Sequence, residues 1–315
     1  MIDLLQLNNL SVGYTNGKNK TIVVADISLS LPRRCVVSLL GANGAGKSTL
    51  LRTIAGAQPA ISGEVKIAGE LIGRLSRHEM ARLISVVTTD RTNAGGLTVE
   101  ELVALGRQPY TGFLGRLDAN DRKMVRDAIE SVGITHKLHS FVAELSDGER
   151  QKAMIAKALA QNAPIILLDE PTSFLDVASR VDVLQLLHHL ARCENKAILL
   201  SSHDVALSLA MSDRLWLLVG NSKLIDGQTE DIVLQGKLNH LFSTDNVTFD
   251  ALSGEFVAKT DHNKKAYNIK GCDATRCRWI ANALRRNGFV VSDDAKDTID
   301  ADKIDSVEIL LSQIL

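Results

Sequence analysis

Nine consecutive residues, Gly41-Ala-Asn-Gly-Ala-Gly-Lys47-Ser48-Thr49, constrain this chain more than any other stretch of it. They follow a short apolar run, Cys35 to Leu40, and precede Leu50, Leu51, Ile54 and Ala55 at helical spacing, so the local order is strand, loop, helix. The spacing is G-x-x-x-x-G-K-[ST]. Glycines let the backbone curl until successive N–H groups point inward, and the helix behind adds the positive end of its dipole. A loop of this kind holds phosphate. Gly41, Asn43, Gly44, Ala45, Gly46, Lys47, Ser48 and Thr49 are the candidate contacts; Lys47 reaches the outer phosphates and Ser48 offers its hydroxyl to Mg²⁺.

A second apolar run, Ile165 to Leu168, ends in Asp169-Glu170. Beside a phosphate loop, the first acid is the expected Mg²⁺ ligand and the second the base that orients and deprotonates water. Alone, the pair would read equally as a cap between strand and helix. Further strands are expected over Leu4–Gly13, Ile22–Leu31, Val65–Ile67, Leu83–Val87, Ala197–Leu200 and Leu215–Val219, with helices over Val99–Arg107, Asn120–Val132 and Ser179–Arg192. Thr98 with Glu101 has capping-box spacing, as does Ser146 with Glu149. The pattern is an α/β core with a helical insertion.

At 315 residues the chain has room for two unequal domains, and 45% hydrophobic residues support a sizeable core. A formal net charge of -1 gives no reason to expect nucleic acid. No run approaches the ~18 apolar residues that cross a bilayer, and MIDLLQLNNL lacks the marks of a secretory signal, so any membrane role is expected to come through a partner. The four cysteines are scattered, as reduced thiols are.

Over roughly Leu5 to Val257 the chain resembles the ATP-binding-cassette ATPases. Besides the phosphate loop and the acidic strand, Leu145-Ser146-Asp147-Gly148-Glu149 is similar to that family's LSGGQ signature, Ser173-Phe-Leu-Asp176 to its D-loop, and Ser202-His203-Asp204 to its switch histidine. Tyr14 matches the aromatic that stacks on adenine. The resemblance implies a P-loop NTPase with a RecA-like core, N-terminal antiparallel strands and a helical signature subdomain, with ATP and Mg²⁺ as cofactors. It implies a homodimer in which each ATP lies between one chain's phosphate loop and the other's Ser146 and Gly148. Lys47, Glu170 and His203 are then catalytic, and Ser48 and Asp169 hold the metal. The implied setting is peripheral, on the cytoplasmic face of the plasma membrane, beside permease subunits and indirectly a substrate-binding protein. Leu97 to Pro109, Gly112 to Gly115, and Phe174 to Ala178 with Val183 to Leu187 resemble the importer branch for ferric siderophores, haem and cobalamin. The rival class is a soluble cassette protein of translation or repair, which usually carries two cassettes or a long coiled coil.

The chain departs from the family in two places. Val86-Val-Thr88-Thr89-Asp90 lacks the Gln that usually links metal and permease, and the signature carries Asp147 for Gly and Glu149 for Gln. Near Thr260 a polar DHNKK stretch separates an expected cassette over 1–258 from a small α+β appendage over 259–315. In that appendage, strands are expected over Ala266–Ile269 and Phe289–Val291, helices over Ala274–Arg286 and Asp305–Leu315, and a solvated loop over Ser292–Asp305. Neither His188-His189, which point apart on a helix, nor Cys272 with Cys277 has the spacing of a metal site.

Overall fold

Two long strands open the chain, β1 (Leu5–Asn16) and β2 (Asn19–Leu31), paired antiparallel. The structure, a computed structural model, describes residues 4–17, 19–88, 96–112, 115–220, 222–242, 247–251, 253–258 and 265–315. Next come β3 (Cys35–Gly41), α1 (Lys47–Ile54), β4 (Ser62–Ile67), β5 (Glu70–Leu71), α2 (Arg77–Leu83) and β6 (Ile84–Val87). The helical stretch holds α3 (Val99–Ala104), α4 (Ala119–Ser131) and α5 (Asp147–Ala160). The chain then alternates through β7 (Ile165–Leu168), α6 (Val177–Cys193), β8 (Ala197–Ser202), α7 (Val205–Met211), β9 (Arg214–Val219), β10 (Lys223–Gln228) and α8 (Thr229–Leu234).

A six-stranded sheet in the order β10-β9-β3-β8-β7-β6 is parallel except for β10, which runs antiparallel to β9. Both faces of this sheet are buried, and successive side chains go to opposite cores. Val36, Ile166, Leu168, Ile198 and Leu200 pack with the helices α3 to α6. Val37, Leu39, Ile165, Leu167 and Leu199 pack with α1 and an antiparallel sheet of order β2-β1-β4-β5. Burial on both sides is why these strands read as unbroken apolar runs.

Each helix of the insertion begins at a capping box: Thr98 with Glu101, Asp118 with Asp121, Ser146 with Glu149. Each box satisfies two N–H groups that a helix start otherwise leaves open. The α-helix expected to reach Arg107 stops at Ala104, and the chain tightens into a 3₁₀ turn, Leu105–Arg107. There Arg107 is buried: it donates to Asp121 at 2.9 Å and to the Ala160 carbonyl at 2.7 Å, and the Tyr110 ring lies 3.9 Å from its guanidinium.

The chain divides into two compact units, Met1–Ser243 with Ala251–Glu255, and Thr244–Asp250 with Phe256–Leu315. The second has β11 (Val247–Asp250) paired with β12 (Glu255–Ala258), then β13 (Ala266–Lys270), α9 (Ala274–Arg286), β14 (Val290–Val291), β15 (Asp297–Asp300) and α10 (Val307–Ile314). Its three-stranded parallel sheet, β14-β13-β15, shares a core of Tyr267, Ile280, Leu284, Phe289, Ile299 and Leu310. The stretch Ser292–Asp305 is therefore not a solvated loop: it contains β15, whose Ile299 is buried. Four residues with one inward apolar side chain are too few for alternation to show. Thr89, Asp90, Phe113, Leu114 and the hinge residues Thr260 to Lys264 lie outside the described residues. Among the described residues, no helix is long and apolar enough to cross a membrane.

Candidate functional site

β3 lies between β8 and β9, so the loop leaving its C-terminal end opens at the carboxyl edge of the parallel sheet, where α/β folds place their ligands. Gly46 has φ 102°, and a Cβ there would lie 2.4 Å from Val23 Cγ1, so only glycine fits between the loop and β2. The first turn of α1 carries no acidic residue, which leaves its positive end open to an anion. The Lys47 ammonium folds back over the loop and donates to the carbonyls of Gly41 at 2.8 Å and Ala42 at 3.2 Å. Burial pushes its pKa below the usual lysine range, against the opposing pull of Glu170 and Asp169.

The acidic pair arrives on β7, two strands away. Asp169 Oδ1 accepts from Ser48 at 3.1 Å and from Ser201 at 2.7 Å. The Ser201 hydroxyl, buried at the end of β8, also accepts the Glu170 N–H at 2.8 Å and so ties both acids to the sheet. Glu170 has φ 51°, a left-handed conformation costing about 1–2 kcal/mol in a residue with a Cβ. Its carboxylate accepts from Ser173 Oγ at 3.0 Å and from His203 Nε2. With Nε2–H donating to Glu170, His203 turns Nδ1 toward Lys47 Nζ at 3.4 Å. Lys47, His203 and Glu170 thus form one chain of polar contacts.

Tyr14, Val23, Lys47, Ser48, Glu170 and His203 line a cleft of about 330 Å³ that also takes in Asn43, Gly44, Gly46 and Thr49. Tyr14 is half exposed, and its hydroxyl pairs with Thr49 Oγ1 at 2.8 Å, which lays the ring along the mouth of the cleft. Ser146, Gly148 and Asp176 are not among the residues lining it. They form a second group, where the N-termini of α5 and α6 meet. Ser146 caps α5, Asp176 caps α6 through Ser179, and a Cβ on Gly148 would come 3.0 Å from Ser179 Oγ. One chain therefore carries two clusters, a phosphate-loop cleft and a pair of helix N-termini.

Sequence reasoning passed over Ser201, and it named Ser173 only as the first residue of the D-loop-like stretch, without its bond to Glu170. The available signal was a hydroxyl at the end of a buried strand and another three residues past an acid. Elsewhere, His189 Nδ1 pairs with Cys193 at 3.5 Å, and no group of three or more metal-ligating side chains occurs among the described residues. The four cysteines are free thiols.

The cleft's geometry accords with what the chain is similar to. Residues 24–173 match the ABC transporter family. An uncharacterised ABC transporter ATP-binding protein of Methanocaldococcus jannaschii is 38% identical over 85% of this chain and 92% of its own length. The iron(3+)-hydroxamate import ATP-binding protein of Bacillus subtilis is 32% identical over 76% and 88%. A dimeric ATP-binding cassette in a post-hydrolysis state, bound to ADP and Pi, superposes with a TM-score of 0.62 at 26% identity, covering 71% of this chain and 98% of that one.

Proposed function

The chain belongs to the ABC transporter family as an ATP-binding, ATP-hydrolysing subunit, and from that premise we propose that it powers uptake of an iron chelate, haem or cobalamin through a separate membrane permease. The observation that carries the catalytic half is the convergence of Lys47, Asp169, Glu170 and His203 on the phosphate-loop cleft. The cargo class is supported by the iron-hydroxamate relative.

The loop amides and Lys47 take the phosphates, the ammonium exchanging the carbonyls of Gly41 and Ala42 for phosphate oxygens. Tyr14 offers its ring to the base and gives up its bond to Thr49. Ser48 and Asp169 supply a hydroxyl and a carboxylate side by side, a hard-oxygen set that suits Mg²⁺, and Ser201 fixes that carboxylate from behind. Bound there with the nucleotide, Mg²⁺ would offset negative charge on the outer phosphates. Glu170 accepts the proton of the attacking water, oriented by Ser173 on one oxygen. His203, held on the other, turns toward the terminal phosphate. Because Ser146, Gly148 and Asp176 lie apart from the cleft, two copies meet head to tail, and each completes the other's site. Closure on ATP and reopening after hydrolysis drive a permease at the cytoplasmic membrane face, and a substrate-binding protein delivers the cargo.

The test is co-purification of the full chain with its permease from detergent-solubilised membranes, then reconstitution in liposomes. ATP-dependent entry of labelled ferric hydroxamate, haem or cobalamin is expected, and it should stop with Glu170→Gln. Robust hydrolysis with no entry of any of the three would sink the importer reading. A soluble role in translation or repair is not favoured, because the iron(3+)-hydroxamate relative is an import subunit.

A further inference from the structure

The tail of the chain, residues 265–315, is neutral as a whole but not in its parts. Residues 265–290 hold six Lys and Arg against one acid, and residues 291–315 hold two against seven, so the halves stand at +5 and −5. The basic half is centred on α9, which contains no acidic residue. Its buried side is Ile280, Ala281, Ala283 and Leu284. Thr275, Trp279, Asn282 and Arg286, spaced at helical intervals, form a stripe turned away from that side, and exposed Arg276 borders it. Trp279 is 67% exposed, an indole kept in water by a helix whose other side is fixed in the core.

In the acidic half, α10 turns Leu310 into that same core and leaves Glu308 and Ile309 outside, Ile309 58% exposed. Asp305 is exposed just ahead of it. α9 and α10 pack against each other, so their outward faces adjoin: arginines around a tryptophan beside acids around an isoleucine. Several acids of this half are satisfied within the chain, Asp297 by Lys265 and Asp300 by Lys303. Among the described residues, Arg276, Arg286, Asp305 and Glu308 have no such ion pair.

We propose that this double face binds its counterpart on a second copy of the chain, α9 of each lying on α10 of the other, and that the contact forms without nucleotide. A two-fold contact requires a self-complementary patch, and adjoining faces of opposite charge are one. Trp279 and the arginines are of the residue types that most often anchor interfaces. A polyanion would be drawn to the arginines and repelled by the adjoining acids, whereas a second copy engages both. Exposed ion pairs are individually weak, so the contact is a weak one by itself. Its value rests on the reading that two copies work together: once they are joined, the tail contact becomes intramolecular, at an effective concentration in the millimolar range. It then keeps two cassettes paired after ATP has been spent and shortens the search for the next closure.

The experiment is sedimentation of the full chain without nucleotide, at low and at high salt. Self-association is expected at low salt and should weaken as salt rises. Trp279→Ala should weaken it by about tenfold or more. Arg276→Glu with Arg286→Glu, and separately Asp305→Lys with Glu308→Lys, should each abolish it, because like charges then meet at both reciprocal contacts. A chain carrying all four changes should associate again, a recovery that no folding defect produces. Association indifferent to Trp279→Ala and to the charge reversals, or no recovery in the four-change chain, would overturn the contact. Flotation of a monomeric chain with phosphatidylglycerol vesicles, lost on the arginine reversal, would give the face to a membrane and overturn it as well. A Glu170→Gln chain that dimerises with ATP yet stays monomeric without it would remove the tail contact alone. Salt-sensitive association through the tail with no response to ATP would instead remove the nucleotide-closed dimer and leave this contact standing.

Discussion

Glu170 shows how much of a site one residue's surroundings decide. Its backbone is strained, its N–H is tied to Ser201, and its two carboxylate oxygens are held by Ser173 and His203. Exchange to Gln keeps the shape and removes the base, so ATP binding should persist while turnover falls at least ~10²-fold. Steady-state hydrolysis near the original rate would rule the assignment out. Asp147 poses the opposite problem, a carboxylate in the first turn of α5 where the partner's phosphate would approach. The structure adds a partner for it, since Arg150 donates to Asp147 Oδ1 at 3.0 Å on a half-exposed surface. Asp147→Gly removes a favourable charge from the helix start, typically worth 0.3–1 kcal/mol, and releases Arg150 to face an anion. Melting without nucleotide should come slightly earlier, and ATP-driven dimerisation of the Glu170→Gln chain should strengthen, more at low salt than at high. Unchanged or weaker dimerisation would mean that Asp147 points away from the phosphate.

Among elements, those with a strong local signal were legible in advance: the strands buried on both faces, the phosphate loop with α1, and the capping boxes of α3 and α5. Fixed loop chemistry and unbroken apolar runs leave few alternatives. Three things were not legible. The short edge strand β15 hides its pattern in acids, Ser201 acts only once β8 is laid beside β7, and the buried Arg107–Asp121 pair joins residues on different elements. That pair has a measurable consequence. Burial pushes the Asp121 carboxyl up, but the Arg107 guanidinium and the Asp118 N–H outweigh it and hold the group below the usual range. Hydrogen bonds from Thr98 and from Ser146 likewise depress Glu101 and Glu149. A depressed acid contributes stability above its unfolded pKa of about 4 and loses that contribution as pH falls through its folded value. All three belong to the helical insertion. Acidification below about pH 4 should therefore release amide protection in α3, α4 and α5 before the parallel sheet; loss of both together would contradict this. Asp121→Ala, which leaves the buried guanidinium only the Ala160 carbonyl and the Tyr110 ring, should cost about 3–5 kcal/mol by denaturant titration.

As a whole molecule, the chain joins a nucleotide cassette to a tail with a core of its own. A chain ending at Thr260, which keeps β11 and β12 and removes β13 to α10, should stay soluble and bind ATP with unchanged affinity, because the apolar residues of the removed part serve one another. Insoluble product would show that the tail completes the cassette. The strand order of the central sheet has a further consequence, in time. β3 carries the phosphate loop but is paired on one side with β8 and on the other with β9, which end at Ser202 and Val219. During synthesis the loop emerges early and waits for both neighbours, a gap that lasts on the order of ten seconds at ~5–20 residues per second. A nascent chain stalled at Asn195 should thus carry the complete nucleotide motif and yet fail to retain ATP, with β3 an unpaired apolar strand for a chaperone to cover.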